Sequence, residues 1–286
     1  MTADLAVLTS RLGADDKRIL IALERRGLPV HQVDPRRLAF AATGAAPWSL
    51  VLNREISASR ARHAAHTLEA AGATVLNCAA ATDVCADKWL TTLALRRDGV
   101  PTPRTTLALT PDAALDELDR FGYPAVIKPL TGSWGRQVGL LREPDAARAV
   151  LEHRAALPNP EAHLIYLQEY VEKPGRDIRV VVIGGRPVAA AYRVSRDWRC
   201  NVALGAETRP CPIGPELAKA ATAAARAVDA DLAGVDLVER EDGELLVLEV
   251  NHNVELAGAQ RAAGDSVDLA GTIAALVADR YESGAR

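Results

Sequence analysis

Two acidic side chains and one amide lie within strongly apolar runs near the end of the chain. Glu249 and Asn251 are two residues apart in the run 246–251, and a strand places both side chains on one face. Asp236 lies in the apolar run 234–237, which is expected to pair with the first run. A carboxylate among strand hydrophobics is costly unless it is paired or metal-bound, and oxygen ligands favour Mg²⁺ over Zn²⁺. This set therefore predicts a Mg²⁺ site completed by nucleotide phosphates; polar edge-strand residues facing solvent are the alternative.

A glycine-containing loop, 131–136, follows Lys128 and lies between two strand-like runs. Phosphate loops of the Rossmann and Walker types begin a helix, whereas the run 137–141 has a strand pattern, so both of those folds are disfavoured. A hairpin loop whose free amides fold over a triphosphate fits, with Lys128 as the cation on the phosphates. An ordinary hairpin turn is the alternative. Since the chain has five lysines and 29 arginines, a lysine at this place indicates a need for a compact point charge.

The segment 168–179 changes from an apolar strand to a charged turn and back to a strand. This pattern favours a hinge whose backbone contacts an adenine and whose acidic side chains contact a ribose. The following side chains could hold phosphate or carboxylate oxygens: Arg179, Arg193, Arg196, Arg199 and Asn201. Solvated arginines at strand ends are the alternative interpretation.

The composition is that of an ordinary globular protein, with 286 residues, 49% of them hydrophobic and 25% charged, and a net charge of −3. Basic residues are scattered, which argues against a nucleic-acid partner. Because no apolar run has the length of a membrane span and the first residues lack a signal-peptide pattern, we expect a cytoplasmic protein that does not contact a membrane. The four cysteines have no C-x-x-C spacing, which predicts reduced thiols rather than zinc ligands or disulfides.

Three regions of different pattern must position these motifs. Residues 1–84 predict an α/β domain with a parallel sheet, residues 85–160 a central α+β lid, and residues 161–286 a domain with an antiparallel sheet. Strands are predicted at 4–9, 30–33, 50–52, 74–76, 105–109, 125–128, 137–141, 164–171, 178–183, 187–194, 233–239 and 245–250. Helices are predicted from Asp15 or Asp16 to Gly27, from Pro111, and at 57–71, 87–97, 144–156, 216–228 and 267–281.

In their order and spacing, these motifs resemble those of the ATP-grasp superfamily of carboxylate–amine ligases. Within it the chain is similar to the branch of the ribosomal-protein-S6-modifying enzymes, and more closely to ligases that attach an amino acid to a small amino-group carrier protein, as in the α-aminoadipate route to lysine. The stretches that carry the similarity are 53–57, 87–88, 99–103, 132–136, 168–180, 192–195, Trp198, Asn201 and 249–252. The resemblance implies an ATP-grasp fold of mixed α/β class with the three domains described above.

The resemblance implies ATP and Mg²⁺ as cofactors. The ATP-binding residues that it implies are Lys88, Lys128, Gly132, Ser133, Trp134, Gly135, Arg136, Gln168, Glu169, Tyr170, Val171, Asp177, Arg179, Arg193 and Asn201. The implied Mg²⁺ ligands are Asp236, Glu249 and Asn251. Arg179 and Arg193 are expected to act in catalysis by stabilising an acyl phosphate. Amino-acid selectivity is expected at Gly258 and Ala259, with Arg54 or Arg261 as the cation for a distal carboxylate.

The implied reaction needs no side-chain nucleophile. A glutamate carboxylate of the carrier attacks the γ-phosphorus of ATP, and the amine of the amino acid then displaces phosphate from the acyl phosphate. The implied partners are a small acidic carrier protein and glutamate or α-aminoadipate, which the sequence does not distinguish, and a homo-oligomer, dimer or tetramer, is expected. A peptide or S6-type glutamate ligase shares every motif. A non-catalytic ATP-binding scaffold is the alternative of another class, and the intact metal ligands argue against it. His252 is expected to be structural.

Overall fold

The computed structural model describes residues 5–132 and 135–284. Its N-terminal part is a parallel sheet, as predicted, with the strand order β2-β1-β3-β4. The strands are β1 (Leu5–Leu8), β2 (Val30–Val33), β3 (Leu50–Asn53) and β4 (Thr74–Leu76), and the helices are α1 (Ala14–Arg25), α2 (Ala58–Ala70) and α3 (Ala79–Ala86).

A second sheet is antiparallel and has the order β5-β8-β6-β7. Its strands are β5 (Thr105–Ala108), β6 (Ala125–Lys128), β7 (Gly139–Leu141) and β8 (Ile165–Glu169), and the helices of this stretch are α4 (Lys88–Arg97), α5 (Pro111–Phe121) and α6 (Pro144–Ala155). The predicted domain boundary at residue 160 assigned β8 to the C-terminal domain, whereas the strand pairs with β5 and β6.

The third sheet is antiparallel, as predicted, and has the order β11-β10-β9-β12-β13. Its strands are β9 (Arg176–Ile183), β10 (Arg186–Val194), β11 (Glu207–Pro210), β12 (Leu232–Glu239) and β13 (Leu245–Asn251), and the helices are α7 (Pro215–Ala227), α8 (Ala257–Ala263) and α9 (Leu269–Gly284). Three-residue and four-residue 3₁₀ turns lie at 35–37, 160–163, 202–204 and 264–266.

The hydrophobic cores cross the predicted domain boundaries. Leu95 of α4 packs with Val247 of the third sheet, and Leu52 of the first sheet shares a core with Val181 and Leu256. Burial of these apolar faces stabilises the contact between the first and third sheets. The loops at the carboxyl ends of β1 and β3 are therefore fixed beside the end of β13.

Polar caps set where the site-bearing helices begin. Asp87 accepts hydrogen bonds from the backbone N–H of Trp89 at 2.8 Å, which caps α4 and places Lys88 at its first position. The prediction that Asp15 or Asp16 caps α1 is wrong, because Gly13 is the cap residue. Asp16 lies in the first turn of the helix, and its carboxylate accepts a hydrogen bond from the Gly13 N–H at 3.2 Å. The Asp16 carboxylate is thereby held in place and faces Arg54.

The sequence pattern does not predict α3, α8 or β11. Both helices are short and rich in alanine, so they have little helical hydrophobic period of their own and depend on tertiary packing. Strand β11 is a charged four-residue edge strand that pairs only with β10 among the described residues. Within residues 5–132 and 135–284, no helix has the length and apolarity needed to cross a membrane.

Asn77 links the first sheet to the third. Its buried side chain donates to the carbonyl oxygens of Leu232 at 2.7 Å and His252 at 2.8 Å, and accepts from the Leu232 N–H at 2.8 Å. Because Asn77→Ala leaves these backbone groups unpaired, we expect it to lower the free energy of unfolding by about 2–4 kcal/mol in urea denaturation. Asn159→Ala removes an exposed cap and serves as the control, with an expected loss of about 1 kcal/mol. Equal urea midpoints for the two variants would contradict this role.

Candidate active site

The predicted carboxylates and arginines lie on one face of the third sheet. Asp236 is directly opposite Glu249 on β13 and opposite Arg179 on β9, and Arg193 on β10 is opposite Asp177. Residues directly opposite each other in a sheet point to the same face, as do residues two apart on one strand. The placement of Glu249 and of Asp236 on one face is therefore as the sequence predicts. We call this set, with Asn251, the polar row.

A β-bulge in β13 adjoins the polar row. The register shifts after the Asp236–Glu249 pair, so that Leu237 faces Val247 and Leu248 is the extra residue. Regular alternation would turn Leu248 and Glu249 to opposite faces, yet both line the same cavity. The bulge thus places an apolar side chain directly beside the acidic one.

Ion pairs hold the centre of the polar row. The Arg179 guanidinium binds both carboxylate oxygens of Asp236, through Nε and, at 2.9 Å, through Nη2. Arg193 donates to Asp177 at 2.5 Å and to Asp236 at 3.3 Å. Burial acts to raise the pKa of Asp236, but the two guanidinium groups outweigh it and the pKa is lowered. For Asp177 burial dominates over Arg193, and its pKa is raised.

Three of the five lysines meet at this face. Lys128 donates to Gln168 Oε1 at 2.6 Å, and burial lowers its pKa to about 8. Lys88 donates to the carbonyl of Gly132 at 2.9 Å and lies 3.6 Å from Glu249. Lys173 lies 3.8 Å from the carboxylate of Asp177.

Lys173 was not among the predicted site residues. The signal that could have identified it is the scarcity of lysine, which applies equally to all five lysines of the chain. Three ammonium groups in one cavity form a strong anion site, because they act as point charges in a partly desolvated environment.

The end of β8 and the segment that follows it form the wall next to the lysines. The buried Gln168 amide donates to Thr105 Oγ1 at 3.2 Å and to the Tyr166 hydroxyl at 3.1 Å, which orients its oxygen toward Lys128. Glu169 accepts from Arg240 at 2.6 Å. Further along, Tyr170 makes an edge contact with Trp198, with ring centroids 6.2 Å apart, and both rings line the cavity with Val171.

The glycine loop joins β6 to β7 in an antiparallel hairpin, so the prediction that it does not begin a helix is confirmed. Gly135 has a φ of +67°, and a Cβ there would lie 2.5 Å from Asn201 Oδ1. Only glycine allows this approach of the loop to Asn201. Ser133 and Trp134, the other predicted members of the loop, lie outside the described residues.

One cavity of about 690 Å³ contains the predicted site residues that the structure describes. Those lining it are Arg54, Lys88, Lys128, Gly132, Gly135, Arg136, Gln168, Glu169, Tyr170, Val171, Asp177, Arg179, Arg193, Asn201, Asp236, Glu249, Asn251, Gly258 and Ala259. The structure brings them together; their individual roles stay predictions. A cavity of this size can hold a nucleotide together with a second small substrate.

The residues predicted to select the amino acid, Arg54, Gly258 and Ala259, all line the cavity, and we call the part of the wall that they form the far end. Arg54 is buried and donates to Asp16 at 3.0 Å and to the Val254 carbonyl at 3.0 Å. A Cβ on Gly258 would lie 3.1 Å from Thr208 Cγ2, so glycine keeps this wall open. Arg261, the other predicted cation, is exposed and is not part of the cavity wall.

His252 lies between the polar row and this far end. Burial lowers the pKa of its imidazole to about 4, and Arg54 acts in the same direction. The ring is therefore neutral at pH 7.

Family models divide the chain into two matched parts. The model described as the RimK-like ATP-grasp domain matches residues 85–277, and the model described as the LysX preATP-grasp domain matches residues 5–84. The chain belongs to the RimK-like ATP-grasp family. Membership confirms the predicted fold class and the prediction of an ATP-dependent ligase.

Two relatives are similar over most of their length. The glutamate–LysW ligase ArgX of Sulfolobus acidocaldarius is 31% identical over 236 residues, which cover 82% of this chain and 83% of that protein. The α-aminoadipate–LysW ligase LysX of Saccharolobus solfataricus is 36% identical over 203 residues, covering 71% and 74%. A solved structure, the RimK-domain ATP-grasp protein of Sphaerobacter thermophilus, has a TM-score of 0.81 and 26% identity and covers 96% of this chain and 99% of that one.

Proposed function

We propose that this protein joins the amino group of an acidic amino acid, glutamate or α-aminoadipate, to the C-terminal glutamate of a small acidic carrier protein. The observation that carries the proposal is the single cavity whose wall includes three lysines, the polar row and Arg54. The similarity of this chain to two ligases named for LysW, at 31% and 36% identity, supports a small carrier protein as the acceptor. A homo-oligomer and a cytoplasmic location remain expectations from the sequence, as does the absence of a nucleic-acid partner.

The chemistry requires positioning and charge neutralisation rather than a nucleophilic side chain. A carboxylate oxygen of the carrier attacks the γ-phosphorus, ADP leaves, and an acyl phosphate forms. The amine then attacks the carbonyl carbon, the carbon–oxygen bond to phosphate breaks, and phosphate departs with the former carboxylate oxygen. Lys88, Lys128 and Lys173 would bind phosphate oxygens, and Arg179 and Arg193 would stabilise the acyl phosphate and the later oxyanion if they exchange Asp236 for substrate.

The polar row also fits a bound Mg²⁺. Among the described residues Glu249 has one ion-pair partner, Lys88 at 3.6 Å. The Nδ2 group of Asn251 donates to the Gly234 carbonyl at 3.2 Å, and this contact leaves the Asn251 Oδ1 atom for a cation. The described residues contain no group of three or more His, Cys, Asp or Glu side chains that could hold a metal ion, so a Mg²⁺ ion here would need the Asn251 amide oxygen and phosphate oxygens as further ligands. Glu249, Asn251 and Asp236 would hold the ion, Asp236 after releasing Arg179. Bound there, Mg²⁺ would neutralise phosphate charge.

ATP affinity should depend on pH through Lys128. Below its pKa of about 8 this lysine is charged and attracts the triphosphate, and above it the free protein must bind a proton before the same contact forms. We expect the Kd for ATP to rise by about tenfold between pH 7 and pH 9.5, measured by calorimetry. Lys128→Met should bind more weakly and show a flatter profile. An equally steep rise in that variant would assign the pH dependence to another group.

The proposed function is tested by the release of ADP and phosphate. Release should require ATP, Mg²⁺, an acidic amino acid and the carrier protein together, and the carrier should gain the mass of one amino-acid residue. The carrier protein for this assay is found by identifying a protein that copurifies with this ligase and accepts the amino acid. The RimK-like family match supports a second candidate, a peptide or ribosomal-protein glutamate ligase. Addition of glutamate to a peptide C-terminus without a carrier would favour that candidate.

A further inference from the structure

The far end of the cavity is built from two loops of the parallel sheet. Arg11 lies in the loop after β1, and residues 54–56 follow β3. Ligands of parallel sheets bind at the carboxyl ends of the strands, where these loops lie. The buried Glu55 fastens them together, since its carboxylate accepts from the N–H of Ser10 at 3.1 Å and of Ser57 at 2.8 Å. The backbone next to Arg11 is thereby fixed.

Arg11 makes no ion pair with an acidic side chain of the described residues. Asp16 is occupied by Arg54 and by the Gly13 N–H, and one Asp15 oxygen accepts the N–H groups of Leu256 and Ala257 at 2.8 and 3.2 Å. The other Asp15 oxygen is buried without a hydrogen-bond partner, and the exposed Glu255 also lines the cavity. Arg11 is exposed, lines the cavity, and has no ion-pair partner within residues 5–132 and 135–284. Its guanidinium is therefore available for an anionic ligand.

The order of the residues along the cavity wall limits which anionic group can contact Arg11. Asn253 follows the polar row by two residues, and its amide donates to the Arg54 and Glu55 carbonyls at 3.2 and 3.1 Å. The wall thus runs from the lysines through Asn251 and Asn253 to the loops that carry Arg54 and Arg11. An amino acid whose amine lies at the acyl phosphate and whose side chain extends along this wall would bring its distal carboxylate to these loops.

We infer that Arg11 determines specificity by binding the distal carboxylate of the amino-acid substrate. This inference rests on the proposed function and makes it more specific. The two arginines favoured by sequence fit less well, because Arg54 already uses Nε and Nη1 and Arg261 lies outside the cavity wall. A charge-assisted, bidentate contact discriminates against a substrate that lacks the carboxylate.

The test compares Arg11→Gln with Arg25→Gln, which removes an exposed arginine from the far end of α1, the helix that follows the Arg11 loop, and lies outside the cavity wall. For each protein kcat/KM is measured with glutamate, α-aminoadipate and the neutral analogue norleucine, and KM is measured for ATP. We expect Arg11→Gln to lower kcat/KM for both acidic amino acids by about tenfold or more, mainly through KM, with little change for norleucine or ATP. Arg25→Gln should behave as the parent, and Arg11→Lys should recover part of the loss.

An unchanged ratio of acidic to neutral substrate use in Arg11→Gln would overturn the inference. An equal loss with all three amino acids would also overturn it, because Arg11 would then bind a group that they share. If the parent itself shows no preference for acidic amino acids, the proposed substrate class fails, and this failure is seen before any variant is made.

Discussion

Replacement of Glu249 by glutamine is expected to lower the turnover number by about 10²-fold or more while the protein remains folded. The side chain lies in the polar row opposite Asp236 and is only partly exposed, at 23% of its surface. Glutamine keeps its size but removes the negative charge on which a divalent cation depends. The loss should therefore appear mainly in kcat, because the developing charge on the phosphates is no longer balanced.

The Mg²⁺ concentration for half-maximal rate separates this effect from the loss of the Lys88 contact. If Glu249 is a metal ligand, that concentration should rise in Glu249→Gln and change little in Lys88→Met. Glu244→Gln, an exposed carboxylate paired with Arg240 in the same hairpin, is the matched control and should retain parental activity. Near-parental turnover in Glu249→Gln would remove the metal assignment.

Lys128→Arg is expected to lose about 10²-fold in kcat/KM for ATP even though the positive charge is kept. Lys128 Nζ lies 2.6 Å from Gln168 Oε1, and Gln168 is itself fixed by Thr105 and Tyr166. The longer, planar guanidinium cannot keep this short contact with Gln168 and also hold its charge at the point that the compact ammonium occupies.

Lys219→Arg provides the matched control, since Lys219 is exposed on α7. It should leave both ATP binding and turnover unchanged. If Lys128→Arg binds ATP and turns over like the parent, the requirement for a point charge does not hold, and the scarcity of lysine carries no information about this site.

Much of the fold follows from local sequence signals. Thr110 followed by Pro111 begins α5, Asp87 caps α4, and Gly184–Gly185 joins β9 to β10. Because strand alternation is a local property, it also predicts that Glu249 and Asn251 share a face. What local signals do not contain is the long-range pairing: β8 joins the central sheet through partners 38 or more residues away in the chain.

The contacts within the candidate site also depend on long-range pairing that local sequence signals do not contain. The sequence indicates that Asp236 needs a partner, but the bidentate contact with Arg179 depends on the register between β9 and β12. The bulge at Leu248 likewise has no signal in the sequence of β13, since it is a property of the pair of strands. Arg11 becomes a candidate for substrate binding only once the ion pairs and hydrogen bonds of the neighbouring Arg54 and Asp16 are known.

The fate of the carboxylate oxygen tests the central claim most directly. A carrier whose acceptor carboxylate is labelled with oxygen-18 is incubated with ATP, Mg²⁺ and an acidic amino acid, and the released phosphate is analysed by mass spectrometry. Formation of an acyl phosphate followed by attack of the amine transfers one labelled oxygen from the carrier to each phosphate, and we predict this result together with a carrier that has gained the amino acid. Release of unlabelled phosphate, with no change in the mass of the carrier, would mean that water attacks ATP and would contradict the assignment of this protein as a carrier-directed ligase.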